Sequence, residues 1–361
     1  MGAAARPFFS ILIPSYNRPQ RIARCIESIL ANHEEDIEII ISDDASPQRD
    51  AIANAVRPYL CLPNVHFHQQ SANLGEPGNR NYLVSRATGQ YNIILCDDDT
   101  LFPHSLMTIR RYIQQAPGND LYMLGYRVIN DLGVASWDRV APRTFTIGPG
   151  RHDLIRWMFE GTWLPFLMFH PATFCCKRGV EREIPYREDV YTADDYMFLL
   201  ECLKKQKRMH VLPECLLKYL QASEGATQVN QSADKVTVVK AYTKVYYAIR
   251  SESDLDPWLA RYVHGETYRQ RFLYDFIIRR LPKTTNLVQL NFTSRDEQDL
   301  AAYITQQYRL TVFIRTGIRI LYELTQQFGL AGAVYSMQIG FRYLSHRLVL
   351  DGTVGKRKFA S

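Results

Sequence analysis

The sequence predicts an α/β fold in which a mostly parallel sheet carries helices on both faces, followed by an all-helical C-terminal region. Three observations predict it. Apolar runs of strand length alternate with helical patterns over the first third of the 361 residues, as in repeated β-α-β units. The run Ile93–Leu95 is continuously apolar, as strands covered on both faces are, and Phe8–Pro14 and Ile37–Ile41 are apolar apart from Ser10 and Glu38. From Ser232 onward nearly every segment has helical periodicity, which sets a boundary between Ser223 and Ala233.

The elements follow in order. After the first strand, Pro19 opens a helix whose Ile22, Cys25, Ile26, Ile29 and Leu30 share one face. The second strand ends in Ser42-Asp43-Asp44-Ala45-Ser46, and a helix is expected from Gln48 to Tyr59. Val65–His68 makes a third strand. Gly75-Glu76-Pro77-Gly78 opens a helix that runs to Ala87, and Gly89 stops it before the strand leading to Asp97. Asp120–Leu124 reads as a further strand, Asn130–Gly150 as a long loop, Arg151–Glu160 as a helix and Leu167–Cys176 as a strand. Ala193–Lys205 is expected to be helical, with Phe198, Leu199 and Cys202 facing a core and Asp194-Asp195 in its first turn.

Composition bounds the class. The chain is 46% hydrophobic and 22% charged, which suits a globular protein with a sizeable core. No charged start followed by an apolar stretch suggests a secretory signal, and no apolar run reaches the roughly 20 residues that span a bilayer. Seven cysteines lie scattered without a C-x-x-C pair, so reduced, buried thiols in a cytoplasmic protein are expected. Adjacent Cys175 and Cys176 would point to opposite faces of a strand. The net charge of +6 is carried by the tail after Ala302, where eight basic residues meet only Glu323 and Asp351. A stripe of Leu310, Ile314, Ile318 and Leu321 runs beside Arg315 and Arg319. A lid, a homo-oligomer interface and a peripheral anchor on the inner face of a membrane all remain open for it. No nucleic-acid partner is expected.

The most informative run is Ile93-Ile94-Leu95-Cys96-Asp97-Asp98-Asp99, an apolar strand ending in three carboxylates. Ligands of parallel sheets bind beyond the carboxyl ends of the strands. Carboxylates crowded there repel one another unless a cation neutralises them, and hard oxygen donors favour Mg2+ or Mn2+. The loops Ser15-Tyr16-Asn17-Arg18 and Ser42–Ser46 fall at the same edge. No G-x-G-x-x-G follows the first strand and no P-loop occurs, which disfavours the usual dinucleotide and ATPase sites.

Taken in register, these residues resemble family 2 glycosyltransferases of the GT-A fold over roughly Phe8–Asn230. Ile11–Arg18 is similar to the family's opening strand and Pro-x-Tyr-Asn turn. Ile39–Ser46 is similar to its Asp-Asp-x-Ser nucleotide loop, and Asn73-Leu74-Gly75 with Arg80-Asn81 to its Asn-x-Gly … Arg-Asn segment. The acidic triplet followed by Pro103 is similar to its Asp-x-Asp motif, although the family often has Asp where Cys96 stands. The resemblance implies a domain over 1–230, with a nucleotide-binding half (1–118) and an acceptor-binding half (119–230); the helical region over 231–361, read from its periodicity, has no counterpart in it.

It also implies roles. Pro14, Ser15, Tyr16 and Asn17 would border the base, and Asp43 or Asp44 would accept the imide N–H of uracil or thymine. Asn73 and Gly75 would line the nucleotide, and Arg80 would counter its charge. Asp97 would touch the ribose. Asp98, with Asp99 or Asp97, would hold a divalent cation. Thr192-Ala193-Asp194-Asp195-Tyr196 resembles the family's Glu-Asp catalytic segment, which makes Asp195 the base by position and Asp194 its understudy, with Glu188 and Asp189 behind them. The implied reaction is inverting and non-processive, because no Gln-x-x-Arg-Trp segment follows Asp195. It would move one sugar from a UDP-sugar, or a dTDP-sugar, to a glycan or lipid-linked saccharide. Trp163, Phe166, Phe169 and His170 would either stack on that acceptor or pack a core. A nucleotidyltransferase-like enzyme and a non-catalytic nucleotide- or carbohydrate-binding module are the competing readings.

Overall fold

The computed structural model describes residues 6–141, 143–148, 173–189, 194–220 and 260–261. The chain separates into two compact units, Met1–Ile277 and Ile278–Ser361, and every described residue lies in the first. The helix expected over 151–160, the aromatic patch from Trp163 to His170 and the basic tail lie outside the described residues. So does the helical region from 231 onward, apart from residues 260–261.

Among the described residues ten strands form one sheet. They are β1 (Phe9–Ser15), β2 (Ile37–Asp43), β3 (Val65–Gln69), β4 (Tyr91–Ile94), β5 (Thr100–Leu101), β6 (Leu121–Ile129), β7 (Ala135–Arg139), β8 (Phe145–Ile147), β9 (Phe174–Lys177) and β10 (Met209–Leu220). The helices are α1 (Pro19–Leu30), α2 (Arg49–Val56), α3 (Gly75–Arg86), α4 (Ser105–Gln115), α5 (Val180–Glu183) and α6 (Asp194–Lys204). The strand order is β3-β2-β1-β4-β9-β6-β10-β5, with β7 added to β6 and β8 to β10.

The direction of each strand decides where the site is. β1 runs parallel to β2 and β4, and β2 runs parallel to β3. β9 is antiparallel to both β4 and β6, so β6 runs with β4, and β10 runs parallel to β6. The carboxyl ends of β1, β2, β3, β4, β6 and β10 therefore share one edge. Six strand ends gather there.

Alternation splits the apolar strands between two cores. Ile11, Ile13, Ile39, Ile41, Ile93 and Leu95 pack on one face against Ile22, Cys25, Ile26 and Ile29 of α1. Leu12, Ile40 and Ile94 pack on the other with Leu83, Val84, Phe198 and Leu199. Cys175 and Cys176 fall in opposite cores, as expected of neighbours on a strand. All seven cysteines are free thiols, and Cys61 is exposed while Cys215 is half-buried.

Two expectations need correction. The supposed loop 130–150 contains β7, which forms a hairpin with β6, and β8, which lies along β10. Short strands of mixed polarity lack the apolar signature that marks the central ones. The helix expected to Tyr59 ends as an α-helix at Val56 and closes in a 3-10 turn over Arg57–Tyr59. Pro58 has no N–H to continue the α-helical ladder.

Candidate active site

The loops after β1 and β2 are stitched into one wall. Asp44 N–H donates to Ser15 O (2.9 Å), and Asn17 N–H donates to Ser46 Oγ (2.8 Å). Ser46 Oγ in turn donates to the wholly buried Asp43, whose other oxygen accepts from Gln69 Nε2 at 3.4 Å. Both loops turn through left-handed residues, Asn17 (φ 58°) and Ala45 (φ 54°). Pro14 sits opposite Ser42 in the ladder, and Tyr16 is left 47% exposed at the rim. Asp44 accepts from Leu74 N–H (2.7 Å), and its own carbonyl accepts from Asn73 Nδ2 (3.0 Å). Gly75, at φ 75°, donates to Asn73 Oδ1 (3.0 Å) and opens α3. Burial pushes the Asp44 carboxyl up, against the pull of the Leu74 and Gly75 N–H groups.

The carboxylates after β4 divide by direction. Asp97 turns toward β1, accepting from Ser15 Oγ (2.7 Å) and from Arg18 Nη1 (2.8 Å). Arg18 also lies 3.1 Å from Asp98, and Arg21 3.8 Å from it. Burial lifts the Asp97 carboxyl to about 6, with Arg18 opposing and Asp98 reinforcing. Asp99 is fully buried and accepts the Leu220 N–H (2.9 Å), tying the end of β10 to the turn after β4. Burial, then Asp98, push its pKa well above the carboxylate range.

Cys96 Sγ and carboxylate oxygens of Asp98 and Asp99 lie within 4.8 Å of one another, close enough to share one cation. Two of the three donors are hard oxygens, which suits Mg2+ or Mn2+. The Asp98 side chain, 11% exposed, is the member open to an incoming ligand. Asp97, also expected as a metal ligand, is outside this group and faces Ser15 and Arg18 instead.

The third part of the site comes from α3 and α6. Arg80 is 2% exposed and ion-paired with Asp194 and with Glu76 one turn earlier on its own helix. Burial works against its charge, but Asp194 and Glu76 more than offset that and raise its pKa. Cys96 is among its electrostatic neighbours, so the Asp194 pair adjoins the Cys96–Asp99 turn. Asp195, the next residue of α6, is half-buried. The charge of Arg80 is met by two protein carboxylates. Asp194, expected as the understudy base, is its buried ion-pair partner, and burial pushes the Asp194 carboxyl up against the pull of Arg80. Glu188 and Asp189 lie outside the pair; Glu188 accepts from Asn81 (3.3 Å), and Asp189 binds Arg187 (2.7 Å).

Sequence reasoning passed over Arg18 and Cys96 as members of the site. Arg18 closes the Ser15–Arg18 loop, and that position was the one available signal. Residues 10–174 match the sequence profile of glycosyl transferase family 2.

Similar curated proteins include the poly(ribitol-phosphate) beta-N-acetylglucosaminyltransferase TarS of Staphylococcus aureus, 22% identical over 222 residues, which are 60% of this chain and 36% of TarS. The GalNAc(5)-diNAcBac-PP-undecaprenol beta-1,3-glucosyltransferase of Campylobacter jejuni is 30% identical over 105 residues, or 28% of this chain and 33% of that protein. The chain thus spans about a third of the length of these curated relatives. Among solved structures, TarS 1–349 with UDP-GlcNAc superposes with a TM-score of 0.60 at 17% identity, covering 83% of this chain and 80% of that one. The mannosyltransferase PcManGT of Pyrobaculum calidifontis, with GDP-Man and Mn2+, gives 0.53 at 17% identity, covering 94% and 88%. The mixed α/β sheet is thus of the GT-A type found in glycosyltransferases.

Proposed function

We propose that this cleft transfers a single sugar, with inversion, from a nucleoside-diphosphate sugar to an acceptor hydroxyl. The observation that carries the reading is the convergence, at one sheet edge, of the Ser15–Arg18 and Asp43–Ser46 wall, the Asp97–Asp99 turn and the first turn of α6. In this reading Pro14–Asn17, Asp43, Asp44, Asn73 and Gly75 form the base pocket, and Asp97 accepts from the ribose. The Asp195 carboxylate takes the proton of the acceptor hydroxyl as its oxygen forms the new bond to the anomeric carbon. The bond to the diphosphate breaks on the opposite face, and the electron pair leaves with the nucleoside diphosphate. A divalent cation held by Asp98 and Asp99 would supply charge stabilisation to that leaving group.

UDP is preferred over dTDP as the donor nucleotide because TarS, a relative in both sequence and fold, has been solved with UDP-GlcNAc. A cell-surface glycan or lipid-linked saccharide is the proposed acceptor. The names of the S. aureus and C. jejuni relatives, acting on poly(ribitol-phosphate) and on an undecaprenol-linked saccharide, support that class.

Incubation with a panel of nucleotide sugars and Mn2+ tests the proposal. Slow metal-dependent release of UDP is expected, with Asp195→Asn abolishing release while leaving UDP affinity within about threefold. Binding of UDP with no release from any donor, acceptor mixtures included, would instead mark a binding module.

A further inference from the structure

The Arg80 cluster carries an inference about the reaction that rests on Asp195 being its base. We infer that Arg80 is a positioning residue, holding the first turn of α6 and thereby Asp195, and that it is not a nucleotide ligand. Its guanidinium is almost wholly removed from solvent and lies between two carboxylates. The Tyr186 ring sits 5.6 Å from the guanidinium carbon and stacks on Phe198 of α6. Asn81, the next residue of α3, donates to Tyr186 O (2.8 Å) and accepts from Tyr186 N–H (2.9 Å). Consecutive residues of α3 therefore grip the chain at two points, Tyr186 and Asp194, on either side of the approach to the base.

Burying an ion pair does little for stability by itself, but removing one partner strands the other charge. Without Arg80, Asp194 would keep a buried carboxyl lacking its counter-charge, and the first turn of α6 would rearrange to hydrate or protonate it. The bond from Asp194 to Asp195 transmits that movement directly. Misplacing a reacting group by roughly 1 Å costs on the order of 100-fold in rate. Substrate binding by the β1–β2 wall and the Asp97–Asp98 turn is untouched in this account.

The test compares Arg80→Met, Asp194→Asn and the double variant with the unaltered protein. UDP affinity is measured by calorimetry with Mn2+, UDP release is measured from the active donor, and hydrogen exchange is followed in peptides covering 194–204. For each single variant kcat is expected to fall about 100-fold, with donor KM and UDP affinity within about threefold. Exchange in the first turn of α6 should quicken at least tenfold while α3 keeps its protection. The double variant should be no slower than the worse single one, because both single changes break the same contact. Should Arg80→Met fold poorly, the double variant, which removes both buried charges and leaves only the half-exposed Glu76 without its partner, reads the same kcat-against-KM split.

The inference is overturned if Arg80→Met weakens UDP tenfold or more while Asp194→Asn does not. It is also overturned if the two losses multiply in the double variant, or if α6 exchanges as before. Asp195→Asn separates the underlying reading. Retained release there sinks the base assignment, whatever the Arg80 variants do.

Discussion

Glu181 gives the clearest quantitative expectation. It lies on α5 at 3% exposure, accepting from Asn92 Nδ2 (2.8 Å) and from Tyr186 Oη (3.1 Å). Burial, opposed by those two hydrogen bonds, lifts its pKa from 4.5 to about 7. The hydroxyl of Tyr186 and the thiols of Cys175, Cys176 and Cys202 are pushed up by burial too, so they stay neutral over this range. The folded state holds a proton that the unfolded state releases. Its stabilising effect is complete below pH 4.5 and is lost as pH rises through 7. At about 1.4 kcal/mol per pH unit, the fall amounts to about 3 kcal/mol.

Glu181→Gln imitates the protonated acid. Among the described residues no donor reaches Asn92 Oδ1, so a flip of that amide lets the new Gln N–H donate to it. Urea unfolding at intervals from pH 4.5 to 8.5 should show the unaltered protein losing stability through the window. Glu181→Gln should be flatter by about 3 kcal/mol across it, and the more stable of the two at pH 8. Equal slopes for both proteins would refute the burial argument.

Three further outcomes follow from the geometry. Gly89→Ala would set a methyl 2.6 Å from Ser10 Oγ, 2.7 Å from Ser10 N and 2.9 Å from Phe9 C, against the β1 backbone, and should cost about 2–3 kcal/mol in urea unfolding. Ser46→Ala removes the group that links Asp43 to the Asn17 N–H, and calorimetry should find UDP bound roughly tenfold more weakly. Asp98→Asn removes the exposed charge of the proposed cation group, so UDP titrations with Mn2+ and with EDTA should become indistinguishable.

The parts legible in the sequence are those where one local pattern decides the outcome. β1, β2 and β4 are apolar runs covered on both faces, and their exits carry the polar loops, so the sheet edge bearing the site could be read in advance. β10 was invisible because Pro213 and Glu214 interrupt its apolar pattern; the ladder to β6 shifts register there, between Val211 and Cys215. β7 and β8 are short strands of mixed polarity and have no periodic signature. The pairings that organise the site were hidden for another reason. Arg18 reaches Asp97 across 79 residues and Arg80 reaches Asp194 across 114, and no local spacing encodes either contact. Without its partner, a buried arginine such as Arg80 reads simply as a cation awaiting a phosphate.

The neighbouring thiols of β9 have a practical use. Cys175 and Cys176 are joined by one peptide bond, yet each is sealed into a different apolar layer of the same sheet. Alkylating reagent reaches either sulfur only when its own layer opens. Their relative modification rates in rising urea would tell whether the α1 side or the α6 side of the protein loosens first, from one peptide in a mass spectrum.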